Sequence, residues 1–458
     1  MSSLDDGHAD GRTGGIAHAR MSRDLAVMFY SHDTYGLGHL RRTLTLARFL
    51  HARSQLIVTG SPLAHRFPLP PHTDYIKLPS VVKLGRERYG PRYLQEPLAS
   101  VRSLREDMLL SAARHYRPDL LIVDNVPRGL KGELLRTLRC LKEQSCRLVL
   151  GVRDVVDEAE WVQSTWAADG SYDVLDELYD LILVYGRQDV YDVAAEYGFS
   201  PSVSAKTRFV GYLSCAAPAR SADEVRAELE MEADHLVLVM AGGGEDGYEL
   251  LHAVADAIRL SGDRRRFECL LLGGPLMPPG DRRRVLALAE AEPSIRYVDF
   301  VDDVASYVAA ADVVVSMGGY NSVCELLSAR KAAIIVPRIA PRREQLIRAE
   351  LLSLRGLVRM LHPEDLTPER MLEEIRHVLD GNGQIPPGVP AQRVARSGRG
   401  NRRALRRRPA VGLSADGVKW PHRPSPTCSR CTRASRRRSC SPSCSSSSGK
   451  ASFCTSSR

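Results

Sequence analysis

No stretch of this 458-residue chain approaches the roughly 20 consecutive apolar residues of a membrane-spanning helix, so no transmembrane segment is expected within it. Residues 1–23 lack an apolar core and are polar and glycine-rich, so they do not read as a secretory signal; a disordered leader is expected there, with Met21 a candidate start. Cysteine is sparse before residue 384. Cys140, Cys146, Cys215, Cys269 and Cys324 sit mostly within apolar patterns, as reduced core thiols do, and the expected location is the cytoplasm. Acidic residues nearly vanish from Ala391–Arg458, where 17 Lys or Arg face Asp416 alone, leaving the rest of the chain at −7. The net charge of +9 is therefore a property of the tail and gives no argument for nucleic-acid binding.

What is present is alternation. Apolar strand-like runs and amphipathic helix-like runs follow one another, the pattern of an α/β protein with parallel sheets. In the first half, strands are expected at 25–31, 55–59, 74–78, 119–123, 147–151, 180–185 and 208–211, with helices at 39–51, 98–115 and 129–142. Residues 214–222 read as a linker. The second half offers strands at 236–240, 268–272, 295–298, 313–316, 333–336 and 357–360, and a last helix at 367–380. The expected organisation is a leader (1–23), an N-terminal Rossmann-like domain (24–213), the linker (214–222), a second Rossmann-like domain (223–383) and a basic Arg/Ser/Cys tail (384–458). Two Rossmann-like domains facing a central cleft describe the GT-B arrangement, and ligands then sit at the C-terminal strand ends.

The tail has almost no aliphatic periodicity and cannot bury enough apolar surface to order itself. Cys428-x-x-Cys431 and Cys440-x-x-x-Cys444 have zinc-like spacing but no hydrophobic framework. A basic arm touching nucleic acid or membrane is an alternative. A slip of the coding frame near residue 384 accounts best for the gain of Arg, Ser and Cys.

Three glycine turns carry chemistry. Ser31-His32-Asp33-Thr34-Tyr35-Gly36-Leu37-Gly38-His39 links the first strand to its helix; it lacks the third glycine of a dinucleotide fingerprint. His39 would stand at the helix N-terminus, where the dipole favours the neutral base, against the plainer reading of a loop histidine. Gly242-Gly243-Gly244 follows strand 236–240 without a Walker lysine and can present amides to a diphosphate, or simply turn the chain. Ser316-Met317-Gly318-Gly319-Tyr320-Asn321-Ser322 opens into another helix, with Asn321 or Ser322 placed to cap it and Glu325 in its first turns. Glu325 suits a fixed acceptor for two ribose hydroxyls, or compensates the dipole. Glu344 and Gln345 can bind sugar hydroxyls or belong to a solvated charge run, and Arg338, Arg342 and Arg343 can balance diphosphate charge or face solvent. Asp124 and Asp154 end first-half strands and are further candidate bases, with helix capping the alternative. The loop Lys83–Tyr93, with Arg88 and Tyr89, suits an acceptor-side lid, alongside Gly36 and Gly38, or is simply a solvated loop.

These motifs resemble family 28 glycosyltransferases, the group of the lipid II-forming N-acetylglucosaminyltransferase. The resemblance covers about 25–380 and is most specific over 316–349; residues 31–47 resemble predicted bacterial glycosyltransferases of unassigned substrate. It implies that Glu325 binds ribose, that Glu344 and Gln345 lie near the donor sugar, that Gly242–Gly244 hold the diphosphate and that His39 acts near the acceptor. Glu344 stands where the lipid II enzyme has Gln, Arg348 where it has Asn, the diphosphate loop lacks that enzyme's serine, and the Ser31-His32-Asp33 lead differs; these departures argue against lipid II synthesis itself. The implied activity is metal-independent, inverting transfer from a nucleotide-diphosphate sugar, most simply a UDP-sugar, without cofactor, to an unknown small or lipid-linked acceptor, with peripheral membrane contact open. A non-hydrolysing nucleotide-sugar 2-epimerase and a non-catalytic nucleotide-sugar-binding protein are the alternatives.

Overall fold

The computed structural model describes residues 25–382 apart from 34–36, 51, 86–87, 214–216 and 264. The expectations for the leader, the tail with its cysteines, Cys215 and Gly36 lie outside the described residues.

Two parallel sheets follow one another. The first runs β3 (Thr73–Lys77), β2 (Ser54–Thr59), β1 (Ala26–Ser31), β6 (Leu120–Asp124), β7 (Arg147–Arg153), β8 (Leu181–Tyr185) and β9 (Thr207–Phe209). The second runs β12 (Ile295–Val298), β11 (Phe267–Leu272), β10 (His235–Met240), β13 (Val313–Ser316), β14 (Ala333–Ile335) and β15 (Arg359–Met360). Such sheets are covered by helices on both faces, so their strands are apolar throughout rather than alternating. All six residues of β1 are buried: Met28 and Tyr30 join one core layer, Val27 and Phe29 the other. Leu40, Leu44 and Ala47 of the helix Gly38–Phe49 pack into that second layer. In β10, Val237 and Val239 face one layer and Leu236 and Leu238 the other. Each fully buried Leu or Ile of this kind contributes roughly 1.5–3 kcal/mol.

Chain order reverses between β1 and β6 in the first sheet and between β10 and β13 in the second. Both reversals open a crevice at the C-terminal strand ends, the usual ligand position in open α/β sheets. His32, Gly38, His39, Asp124, Gly242–Gly244 and Gly318–Gly319, at or beyond those ends, are among the residues that build the site below.

Several expectations are corrected. Residues 83–93 do not form a free loop: β4 (Val81–Lys83) and β5 (Tyr89–Pro91) pair antiparallel as a hairpin. The expected helix at 129–142 splits into a 3-10 turn, Leu130–Gly132, and the helix Leu135–Glu143, because Lys131 adopts positive φ. Helices Ala159–Ala168 and Ser171–Glu177 fill a segment assigned no element from sequence. Among the described residues, no helix is long and apolar enough to cross a membrane.

Candidate functional site

The two sheets face one another across a cleft lined from the first lobe by His32, Gly38, His39, Arg41, Arg42, Lys83, Tyr89 and Arg153. From the second lobe come Gly242–Gly244, Gly319, Asn321, Arg338, Arg342, Glu344 and Gln345.

The first-lobe wall is organised by two buried aspartates. Asp33 accepts from the Leu40 backbone N–H (2.9 Å), Ser31 Oγ (2.5 Å) and Thr59 Oγ1 (2.6 Å), fixing the turn into the helix Gly38–Phe49 from behind. Asp124, 3% exposed at the end of β6, takes two hydrogen bonds from Arg42 (Nε 2.9 Å, Nη2 2.7 Å) and lies 2.5 Å from His39 Nδ1. Burial would raise the Asp124 carboxyl, but Arg42 and His39 outweigh it and hold it well below the ordinary carboxylate range. An ionised carboxylate only accepts, so the short Asp124 contact favours a proton on Nδ1 over the longer approach of Arg42 Nη2 (3.1 Å), and in the neutral ring Nε2 is then the acceptor. Asp124 is thus no base itself; it orients His39. His32 packs edge-on to His39, ring centroids 4.3 Å apart, and burial, with a smaller contribution from the neighbouring His39, lowers its pKa well below the ordinary histidine range.

Asp154 leaves the set of candidate bases. Both its oxygens are held by Arg348 (Nε 2.8 Å, Nη2 2.7 Å), each residue is nearly fully buried, and Asp154 does not line the cleft. Arg348 also donates to the Gly318 carbonyl (3.1 Å), so this pair ties the lobes together beneath the glycine turn.

On the second lobe, Gly242 and Gly244 adopt φ of 64° and 93°, and a Cβ on Gly244 would lie 2.3 Å from the Gly273 carbonyl oxygen. The glycine loop therefore packs on Gly273-Gly274, which follow β11 as Gly242–Gly244 follow β10. Gly318 has φ 74°, and a Cβ there would meet Ile335 Cγ2 at 2.6 Å. The helix Tyr320–Ala329 starts at Gly319 with no side-chain cap, contrary to the expectation for Asn321 or Ser322. Asn321 instead donates across the cleft to the Gly38 carbonyl (3.3 Å), leaving first-turn amides without a side-chain cap and available to an anion.

Glu325 lines an adjoining compartment with Phe300, Val301 and Cys324. One oxygen accepts from Arg41 of the first lobe (2.6 Å), and the other is buried without a hydrogen-bond partner. Glu344 accepts from Arg338 (2.7 Å), and Gln345 Oε1 accepts from the Arg338 backbone N–H (3.0 Å). Burial would raise the Glu344 carboxyl, but Arg153, Arg338, Arg348 and Arg342 pull it down to about 2. Arg343 does not enter the cleft; it pairs with Glu158 (2.9 Å), and its N–H binds Asp157 (3.0 Å) at the lobe interface. Arg88 is exposed on the hairpin while Tyr89 lines the cleft.

Sequence reasoning missed Arg41, Arg42, His32, Phe300, Val301 and the Gly273-Gly274 pair. Only the last had a local signal, two glycines directly after a strand.

Residues 237–392 match the model of the glycosyltransferase family 28 C-terminal domain. The UDP-N-acetylglucosamine--N-acetylmuramyl-(pentapeptide) pyrophosphoryl-undecaprenol N-acetylglucosamine transferase of Corynebacterium efficiens is 27% identical over 161 residues, covering 35% of this chain and 42% of its own. The same enzyme of Nitrosococcus oceani is 30% identical over 185 residues, covering 40% and 51%. The chain thus spans about half or less of the length of these relatives. Among solved structures, the calicheamicin glycosyltransferase CalG4 superposes with TM-score 0.51 at 16% identity, over 79% of this chain and 92% of that one. A Listeria monocytogenes protein described as a UDP-N-acetylglucosamine 2-epimerase gives TM-score 0.53 at 13% identity, over 79% and 89%. Likeness at such identities speaks for the fold. Residues 237–392 accordingly match a glycosyltransferase family 28 C-terminal domain, and the chain has the GT-B fold.

Proposed function

We propose that this protein is a metal-independent, inverting glycosyltransferase that moves a sugar from a nucleotide diphosphate, UDP in the simplest reading, to an acceptor hydroxyl. The carrying observation is that His39, held by ionised Asp124, shares one cleft with two glycine turns and the side-chain-uncapped start of a helix. His39 Nε2 would accept the acceptor's proton as its oxygen attacks the anomeric carbon. Amides of Gly242–Gly244 and of the first turn of Tyr320–Ala329 would stabilise the leaving diphosphate, with Arg338 adding positive charge. Glu325 would exchange Arg41 for the ribose hydroxyls, and Glu344 with Gln345 would hold the donor sugar. Cytoplasm is the proposed setting, including the inner membrane face where a lipid-linked acceptor would be met.

The 2-epimerase shares the fold, but the family 28 match over 237–392 favours transfer. NMR of UDP-N-acetylglucosamine and UDP-glucose incubated with the protein separates them. Transfer to water or an added alcohol releases UDP and a first-formed sugar of inverted anomeric configuration, and His39→Ala slows it by about 10²–10⁴-fold. A C2 epimer still joined to UDP would reject this reading.

A further inference from the structure

The cleft holds more positive charge than the donor reading uses. Arg42 is matched by Asp124, Arg41 by Glu325, and Arg338 by Glu344 and Asp246. Two other guanidiniums lining it have a carboxylate only at the outer edge of ion-pair distance and no hydrogen bond to one. Arg153, at the end of β7 in the first lobe, donates to the Val156 carbonyl (3.1 Å) and keeps a buried Nε without a partner. Its nearest carboxylate oxygen, Glu344 Oε1, is 3.8 Å away, beyond hydrogen-bond distance. Arg342, in the second lobe, donates no side-chain hydrogen bond to any described residue. Its Nε lies 3.9 Å from Asp157 Oδ2, and its guanidinium sits 5.4 Å from the Trp161 ring centroid.

Arg153 and Arg342 are partly buried, at 13% and 20% exposed, and a partly desolvated guanidinium without a hydrogen-bonded counter-ion is costly, which suits a site where a ligand supplies the anion. Burial, opposed by Glu344 and reinforced by Arg42, Arg348 and Arg342, brings the Arg153 guanidinium down to about 10, as for a cation short of its counter-ion.

Position narrows the anion. Arg153 and Arg342 both act on Glu344, which with Gln345 is assigned above to the transferred sugar. The diphosphate is assigned instead to the glycine-turn amides, the open helix start and Arg338. We infer that the transferred sugar carries a carboxylate, clamped by Arg153 from one lobe and Arg342 from the other. The donor class is then a nucleoside-diphosphate hexuronate rather than a neutral hexose. Planar guanidiniums suit this task, since each can bind a carboxylate through two parallel N–H groups. This inference rests on the donor reading given under Proposed function.

Isothermal titration of the full chain with UDP, UDP-glucose and UDP-glucuronate at one ionic strength tests it. The wild type is expected to bind UDP-glucuronate at least about tenfold tighter than UDP-glucose. Arg153→Gln and Arg342→Gln should each erase most of that preference while leaving UDP affinity, which also reports an intact fold, unchanged. A wild type without preference for UDP-glucuronate would overturn the inference. So would variants that lose as much affinity for UDP as for UDP-glucuronate, since the guanidiniums would then serve the diphosphate. A wild type that fails to bind UDP at all marks a different failure, that of the donor reading itself.

Discussion

Glu344 is 3% exposed, yet four guanidiniums keep it ionised far below the usual carboxylate range. A group whose folded pKa is depressed stabilises the fold above its unfolded pKa, and that contribution fades as pH falls toward the folded value. A drop from the ordinary 4.5 to about 2 corresponds to roughly 3 kcal/mol, fully present above about pH 5.5. Urea unfolding of the wild type and Glu344→Gln should therefore show a stability gap that is constant near pH 7 and about half or less of that at pH 3. A gap independent of pH would mean that the arginines do not couple to this carboxylate. The residue scale also marks where sequence reading fails. Asp124 and Asp154 looked equivalent, each an aspartate ending a strand. What separates them is a partner far along the chain: Arg42 and His39 for one, Arg348 for the other. No local pattern encodes a pairing across 194 positions.

At the scale of elements, the glycine turns place the site. Gly318 needs a left-handed backbone and has no room for a Cβ against Ile335. Gly318→Ala should destabilise the fold by about 1–3 kcal/mol through backbone strain and a displaced Ile335. Because the turn also aims the first amides of Tyr320–Ala329, UDP affinity should fall with stability; thermal unfolding and titration on one preparation measure both. Unchanged UDP affinity in a folded variant would separate this turn from the donor. Strand 313–316 and the helix behind it were readable because an unbroken apolar run meets two glycines and then a helical period. The hairpin Val81–Lys83 with Tyr89–Pro91 was not, since three-residue strands give no alternation to detect. The missing cap on Tyr320–Ala329 was unreadable for a different reason: Asn321 satisfies a carbonyl in the other lobe rather than its own helix.

Across the whole molecule, chemistry is divided between lobes that are held by charge. Asp154–Arg348 and Arg41–Glu325 bridge them within the core and beside the cleft, and Arg92–Glu245 joins the hairpin flank to the glycine loop at 3.0 Å. The two-lobe α/β plan was legible because parallel strands buried on both faces are apolar throughout and alternate with amphipathic helices. The closure was not, because it depends on side chains that meet only once both lobes are folded. In the proposed reading the ribose hydroxyls and Arg41 would compete for the one Glu325 carboxylate, which places Glu325 at the centre of the account. The most direct test is titration of UDP into the wild type and Glu325→Ala. The account predicts binding by the wild type and a loss of about tenfold or more in the variant, as expected when hydrogen bonds to a charged acceptor are removed. Equal affinity in the two proteins would contradict it.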